Sequence, residues 1–220
     1  MVTRFILMDI EGTVSDINFV RNVLFPYSAK EMRNFVSRNK TNPTVRECLQ
    51  QTGAADDESA IQQLLAWIAS DTKHPALKTM QGLIWREGYE SGAFRAHLYP
   101  EVVPTWTRWT SQNLRLGIYS SGSLTAQHLF FQYSEMGDVR TYLQAYFDLS
   151  TGAKRETESY KKIAAKLDLP PGQILFLSDI EEELDAAKIA GFSTALIVRG
   201  RDSIQSKHVQ YHQLSDVQIN

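Results

Sequence analysis

Short apolar runs that end at a polar residue and a turn recur along this chain, and they constrain its fold more than any other feature. They occupy residues 4–9, 116–120, 174–179 and 194–199. Uninterrupted apolar runs of this length are typical of strands buried on both faces. Helical patterns lie between the runs, at residues 102–113, 123–133, 157–167 and 181–190. Strands that alternate with helices predict an α/β fold with a parallel sheet and helices on both faces.

The stretch from residue 18 to residue 99 breaks this alternation, because its patterns are helical and none of its segments predicts a strand. Ser28 followed by Glu31 predicts a capping box that opens one helix. Residues 58–70 and 76–89 predict two more helices. We therefore expect a helical cap over residues 18–99, inserted after the first strand. The remaining core, a Rossmann-like parallel sheet, comprises residues 1–17 and 100–220.

The charge balance limits the kind of partner that the chain can bind. It has 23 Lys and Arg against 25 Asp and Glu, for a net charge of −2, and no basic run. A nucleic-acid surface is therefore not supported, because such surfaces concentrate positive charge. The apolar run at residues 5–8 stops at Asp9, too short for a signal peptide or a membrane span. A single cysteine, Cys48, suits a reducing compartment, and we expect a cytoplasmic monomer that binds a small molecule.

Polar residues close three of the predicted strands. They are Asp9, Ser120 and Asp179. In open parallel sheets, ligands bind outside the carboxyl ends of the strands, so these side chains define one pocket. Two carboxylates that converge there repel each other unless a cation lies between them, and oxygen ligands favour Mg²⁺. Glu11 adds a second acid to the first strand end, where Gly12 lets the backbone turn sharply.

Each of these residues also has a purely structural interpretation. Asp9 could end a strand before a simple turn, Ser120 could belong to a strand end followed by a helix cap, and Lys154 could be a solvated loop residue. The acids that begin at Asp179 could complement a helix dipole. Their order along the chain favours chemistry instead. An acid nucleophile, a hydroxyl, a lysine and a second acid are the groups that phosphoryl transfer needs.

This order resembles that of the haloacid dehalogenase superfamily of aspartate-nucleophile phosphatases, with Glu11 where the superfamily usually has a second aspartate. The fuller set of motifs resembles the acireductone-forming enolase-phosphatases of methionine salvage. These motifs are Asp9-Ile10-Glu11-Gly12-Thr13, Leu24-Phe25-Pro26-Tyr27, Leu77-Lys78-Thr79-Met80-Gln81-Gly82 to Trp85, Ile118-Tyr119-Ser120-Ser121-Gly122-Ser123, Gly152-Ala153-Lys154 with Ser159-Tyr160, and Leu175-Phe176-Leu177-Ser178-Asp179. The resemblance extends from about residue 5 to residue 199.

The resemblance implies an Mg²⁺-dependent enzyme that enolises a small phosphate ester, 2,3-diketo-5-methylthiopentyl 1-phosphate, and then removes the phosphate to leave acireductone. Asp9 would be the nucleophile and a metal ligand. Glu11 would bind the metal through its carbonyl and act as acid/base through its carboxyl group. Lys154 would neutralise the transferring group. The remaining implied roles are phosphate or substrate binding by Ser120 and Ser121, metal binding by Asp179, and support of the metal's waters by Glu183.

One face of the helix predicted near residue 80 carries a further set of candidates. Lys78, Gln81, Gly82 and Trp85 have the spacing i, i+3, i+4 and i+7. An amphipathic packing stripe explains Trp85 well but Lys78 and Gln81 poorly. We therefore predict that Lys78, Gln81 and Trp85, together with Phe25, contact the substrate.

Three other functions remain open from the sequence. A general sugar-phosphate phosphatase or phosphomutase of the same superfamily would turn over hexose phosphates without enolisation. A receiver-like signalling domain fits poorly, because its phospho-acceptor is expected on a central strand with a paired acid at the first. A dehalogenase needs no Mg²⁺ and leaves Asp179 without a role.

Overall fold

The computed structural model describes residues 2–200 and 205–219. The chain divides into two units, one formed by Met1–Ile17 with Ala96–Asn220 and the other by Asn18–Arg95. The helices are α1 (Ile17–Phe19), α2 (Phe25–Arg38), α3 (Pro43–Gln50), α4 (Asp57–Ala69), α5 (Pro75–Ser91), α6 (Val102–Ser111), α7 (Leu124–Gln132), α8 (Thr157–Leu167) and α9 (Glu181–Ile189). None of the helices in the described ranges is both long and apolar enough to span a membrane.

The first unit contains a six-stranded sheet in which every neighbouring pair is parallel. Its strands are β1 (Phe5–Met8), β2 (Arg115–Tyr119), β3 (Leu143–Phe147), β4 (Ile174–Ser178), β5 (Ser193–Ile197) and β6 (Val209–Tyr211). Their order in the sheet is β3-β2-β1-β4-β5-β6. The predicted parallel α/β fold is confirmed, and the strand that precedes Asp9 lies between β2 and β4.

Side chains on β1 alternate between two packed layers, because successive residues of a strand point to opposite faces. Phe5 and Leu7 belong to a buried cluster with residues of α8 and α9, among them Tyr160 and Leu184. On the other side, the Met8 sulfur accepts a hydrogen bond of 3.3 Å from the Trp106 indole on α6. Helices therefore cover both faces of the sheet. Burial of all four β1 side chains explains the uninterrupted apolar run in the sequence.

The second unit, Asn18–Arg95, consists of helices, and no strand occurs among these residues, all of which the structure describes. Residues of α2, α3, α4 and α5 share one apolar core, which includes Met32, Leu64 and Met80. Cys48 is buried in the same core, where it packs as a small apolar residue.

The predicted capping box at Ser28 is wrong. Helix α2 begins at Phe25 and directly follows a π-helical turn, Val20–Leu24, so Ser28 lies inside the helix. Its hydroxyl donates a 2.9 Å hydrogen bond to the Phe25 carbonyl. Because the preceding turn already supplies carbonyl acceptors, the first N–H groups of α2 need no side-chain cap. Serine then makes the backbone bond that it commonly makes within helices.

Candidate active site

The carboxyl ends of three neighbouring strands bring the predicted strand-end residues to one edge of the sheet. Met8 pairs with Ile118 of β2 and with Leu177 of β4, so the residues that follow each strand leave the sheet side by side. The Asp9 N–H donates to the Leu177 carbonyl at 2.9 Å and thereby extends the ladder by one residue. Asp179 lies one residue past β4 and Ser120 one residue past β2.

A buried lysine joins two acids at this edge. Lys154 comes from the loop before α8, and its Nζ lies 2.6 Å from Asp9 Oδ1 and 2.7 Å from Glu183 Oε2. The three residues are between 6% and 9% exposed. Buried charges are tolerated when they are paired and hydrogen-bonded, and this ammonium meets both conditions. Glu183, for which the resemblance implies support of the metal's waters, contacts the lysine directly.

Glu183 is itself held in place by the strand that carries Asp179. Its Oε2 accepts a 2.9 Å hydrogen bond from the Ser178 hydroxyl. The oxygen of that hydroxyl in turn accepts a 3.2 Å hydrogen bond from the N–H of Ile180. Ser178 is fully buried at the end of β4. The position of the Lys154 ammonium is therefore fixed from two strands at once.

We call Asp9, Lys154, Asp179 and Glu183 the strand-end cluster. Burial and the nearby charge of Asp9 raise the pKa of Asp179 to about 7. Burial likewise raises the pKa of Glu183, and the Asp9 charge adds to that effect. Burial disfavours the Lys154 ammonium, but the charges of Asp9 and Glu183 outweigh it and raise the pKa of Lys154. Lys154 contacts only two of the three carboxyl groups, and its single positive charge cannot balance all three when they are ionised, so ionisation of Asp179 favours a bound cation.

The loop after Asp9 requires glycine at position 12 for two separate reasons. Gly12 has φ +74°, a left-handed conformation that side chains rarely adopt. A Cβ added there would lie 2.5 Å from the Asp179 Cγ, inside van der Waals contact. The Ile10 carbonyl accepts hydrogen bonds of 2.9 to 3.2 Å from the three N–H groups that follow the turn, at residues 13–15. This tight turn places Glu11 two residues after Asp9.

Arg199 is a residue of this region that the sequence did not single out. Its Nε and Nη2 donate to the Thr13 carbonyl at 3.1 and 2.6 Å, and its guanidinium forms an ion pair with Glu101. The same guanidinium lies 3.9 Å from the ring centroid of Tyr99. Arg199 therefore clamps the loop that follows the candidate nucleophile. Its place just past β5, at the same sheet edge as Asp9, is the sequence signal that could have identified it.

A turn rich in hydroxyl groups follows β2. Ser120 is buried, and its Oγ accepts a 3.2 Å hydrogen bond from the Gly122 N–H. Ser123 caps α7, because its Oγ accepts from the Ala126 N–H at 3.3 Å. Ser121 lies between them and is half-buried. Hydroxyl groups beside a helix N-terminus form a favourable environment for a phosphate anion.

The predicted substrate contacts of the helical unit lie on two of its helices. Phe25 begins α2, whereas Lys78, Gln81 and Trp85 lie on α5. The Gln81 amide is buried and donates to the Ser28 hydroxyl at 3.4 Å. The Trp85 indole donates to the Leu24 carbonyl at 2.8 Å, and its ring lies parallel to that of Phe25, with 6.4 Å between centroids.

Comparison with known proteins gives consistent matches over most of the chain. A family model described as haloacid dehalogenase-like hydrolase matches residues 3–191. Enolase-phosphatase E1 of Erwinia tasmaniensis is 46% identical over 213 residues, which cover 94% of this chain and 93% of that protein. Enolase-phosphatase E1 of Stenotrophomonas maltophilia is 49% identical over 204 residues, which cover 90% of this chain and 88% of that protein.

Solved structures show the same fold. The UTR4 protein of Saccharomyces cerevisiae has a TM-score of 0.85 and 34% identity, covering 99% of this chain and 100% of that chain. A phosphatase of the haloacid dehalogenase type from Thermococcus onnurineus has a TM-score of 0.66 at 17% identity, covering 97% and 95% of the two chains, and shares the fold alone. The chain belongs to the haloacid dehalogenase-like hydrolases and, among them, to the enolase-phosphatase E1 family.

Proposed function

We propose that this chain converts 2,3-diketo-5-methylthiopentyl 1-phosphate to acireductone and inorganic phosphate in methionine salvage, with Mg²⁺ as its cofactor. As a member of the enolase-phosphatase E1 family, it is a phosphoric monoester hydrolase. The observation that carries the proposal is the 2.6 Å contact between Lys154 Nζ and Asp9 Oδ1 at the buried end of β1. A carboxylate held in this way has one oxygen fixed by the lysine and leaves the other for attack on phosphorus.

Phosphoryl transfer proceeds through Asp9. Its carboxylate attacks the phosphorus, the oxygen of the enol leaves, and water then hydrolyses the aspartyl-phosphate to restore Asp9. The Lys154 ammonium remains beside the transferring group and offsets its negative charge. Because Glu183 holds the same ammonium at 2.7 Å, the lysine keeps its position when Asp9 becomes phosphorylated.

The strand-end cluster fits Mg²⁺. This ion commonly binds one or two carboxylates and completes its shell with water and substrate oxygens. In the described part of the chain, no group of three or more His, Cys, Asp or Glu side chains could hold a metal ion by itself, so the ion would also need backbone, water or substrate oxygens. Asp9 and Asp179 would supply two carboxylates and Glu11 a backbone carbonyl, and the excess negative charge of the cluster favours a divalent cation. When bound, the metal neutralises charge on the phosphoryl oxygens.

Direct cleavage of the phosphoester would release a diketone alcohol, so we propose that a proton leaves the carbon that bears the phosphate before the phosphoester is cleaved. We assign that proton to the carboxyl group of Glu11, which the tight turn places two residues after the nucleophile. Ser120 and Ser121 donate hydrogen bonds to the substrate oxygens and stabilise the developing enolate.

We propose that the helical unit, Asn18–Arg95, which lies within the expected cap at residues 18–99, recognises the rest of the substrate. Phe25 and Trp85 present parallel aromatic rings, which suit a methylthio group because sulfur packs favourably against aromatic rings. Lys78 and Gln81 share the α5 face with Trp85 and would contact substrate oxygens. The enzyme is proposed to act as a monomer in the cytoplasm.

The experiment that tests the function separates the two chemical steps. Asp9→Asn is incubated anaerobically with the diketo phosphate while ultraviolet absorbance of the conjugated enol and free phosphate are followed together. The enol should accumulate without phosphate, because the base survives and the nucleophile is lost. Asp168→Asn, a change at the exposed end of α8, is the matched control and should release phosphate like the wild type.

Two results would contradict the proposal. A folded Asp9→Asn variant that binds Mg²⁺ but forms no enol would show that Asp9, or the metal geometry that it sets, is needed for both steps. Wild-type enzyme that hydrolyses hexose phosphates as fast as the diketo phosphate, without forming enol, would be a general sugar-phosphate phosphatase.

A further inference from the structure

Hydroxyl groups hold the backbone that carries Lys154. Three consecutive carbonyls in this loop each accept a hydrogen bond of 2.6 to 2.8 Å from a side-chain hydroxyl. The pairs are Tyr119 with Gly152, Ser159 with Ala153, and Tyr160 with Lys154. We call these three hydroxyls the hydroxyl clamp. They come from β2 and from the first turn of α8, so two elements of the core converge on one short segment.

The members of the clamp are buried and act as donors. Tyr119, Ser159 and Tyr160 are each at most 1% exposed. Burial raises the pKa of both tyrosines above the ordinary value, so their hydroxyls stay protonated throughout the working range of an enzyme. A buried hydroxyl that donates to a backbone carbonyl adds order to the loop, and its loss leaves that carbonyl unpaired.

The backbone itself is adapted to the clamp. Gly152 has φ +147°, outside the range that side chains readily adopt, and an added Cβ would overlap the Ser159 hydroxyl oxygen. The Tyr119 ring also lies 5.8 Å from the Lys154 Nζ, within the range of a cation–π interaction. The clamp therefore contacts both the backbone of this loop and the side chain of the lysine.

We propose that the hydroxyl clamp is a positioning device for phosphoryl transfer, which fixes the Lys154 ammonium against Asp9 through the backbone of residues 152–154. The inference rests on the proposed role of Lys154 and adds to it the residues that set its position. A substitution far from the reacting atoms that misplaces a catalytic group by about 1 Å can cost about 100-fold in rate. Loss of one clamp hydroxyl should therefore lower the rate of the chemical step without weakening substrate binding.

The decisive variant is Tyr160→Phe, which removes one hydroxyl and keeps the buried ring. We expect kcat for phosphate release to fall about 10- to 100-fold, with KM almost unchanged. Tyr146→Phe is the matched control, because the Tyr146 hydroxyl is buried and has no hydrogen-bond partner in the described structure. That control should retain wild-type kcat. Tyr119→Phe and Ser159→Ala repeat the test at the other two carbonyls, in case Tyr160→Phe does not fold.

A double-mutant cycle distinguishes positioning from general structural support. Tyr160→Phe is placed in a Lys154→Ala background and assayed at high enzyme concentration, with urea unfolding measured on each variant. If the tyrosine acts through the lysine, the second substitution leaves the residual kcat unchanged, although the unfolding midpoint falls as it does in the wild-type background. An equal fold-loss of kcat in both backgrounds would overturn the inference.

The cycle also separates this inference from the function on which it rests. Wild-type turnover by Lys154→Ala would refute the proposed role of the lysine, and it would also refute the positioning role of the hydroxyl clamp. Slow turnover by Lys154→Ala together with wild-type kcat in every clamp variant would refute the clamp alone.

Discussion

The substitution of Gly12 by alanine separates backbone strain from damage to the site. Alanine at φ +74° costs about 1 kcal/mol of folding free energy, because the left-handed region is strained for any residue with a Cβ. Gly53 has the same φ of +74°, and nothing lies within 4 Å of a Cβ added there. Gly53→Ala is therefore the matched control, with the strain and without the collision.

The collision of the new Cβ with Asp179 affects activity separately from the backbone strain. The new Cβ would lie 2.5 Å from the Asp179 Cγ, whereas carbon atoms pack at about 3.5–4.0 Å, so the carboxyl group must move by about 1 Å. A displacement of that size in a group that holds metal or substrate lowers the rate about 100-fold. Both alanine variants should lose similar stability, but only Gly12→Ala should lose activity.

The assay measures urea unfolding by circular dichroism and phosphate release over a range of Mg²⁺ concentrations. Gly12→Ala should need more Mg²⁺ for half-maximal activity and should not recover wild-type kcat at saturation. Equal activities for the two variants would refute the argument, because the Gly12 Cβ would then not disturb Asp179. A much larger loss of stability in Gly12→Ala would show instead that the collision is relieved by unfolding the loop.

Three further predictions follow from the same geometry. Asp179→Asn should abolish phosphate release and weaken Mg²⁺ binding measured by calorimetry, while circular dichroism stays unchanged. Lys154→Ala should slow turnover about 100- to 1,000-fold, as loss of a preorganised electrostatic group does. Lys154→Arg should restore only part of the lost rate, because a planar guanidinium cannot replace a point charge. Equal rates in both variants and the wild type would contradict the proposed role of Lys154. Trp85→Ala should lower kcat/KM for the diketo phosphate far more than for a small aryl phosphate, and a uniform drop for both would indicate a folding defect.

The buried strands were predictable, and the edge strands were not. The strands β1, β2, β4 and β5 appear in the sequence as apolar runs because their side chains face packed layers. The strands β3 and β6 lie at the two edges of the sheet, where Gln144 and Val209 are exposed, so the apolar run is broken or too short to detect. Helix α3 was missed as well. Only Val45, Cys48 and Leu49 of its eight residues are buried, which is a short stripe for a periodicity argument.

The identity of the strand-end residues followed from their sequence positions, but their partners did not. A residue that directly follows a buried parallel strand lies at the edge of the sheet where ligands bind. This rule predicts the location of Asp9 and Asp179 from the sequence. No local pattern links Glu183 or Ser178 to Lys154, because these contacts join segments that only the tertiary fold brings together. The hydroxyl clamp is of the same kind, since Tyr119 and Tyr160 belong to different elements.

The position of β1 in the sheet determines when during folding the site can form. Phe5 pairs with Arg115 on one side and with Ile174 on the other, so this strand is synthesised well before either of its partners. Contacts between residues so far apart in the chain form slowly. On the ribosome, the apolar segment Phe5–Met8 gains its first sheet partner only when β2 emerges and its second only when β4 emerges. Assembly of the candidate active site is therefore a late event of folding, although Asp9 directly follows the first strand of the sheet.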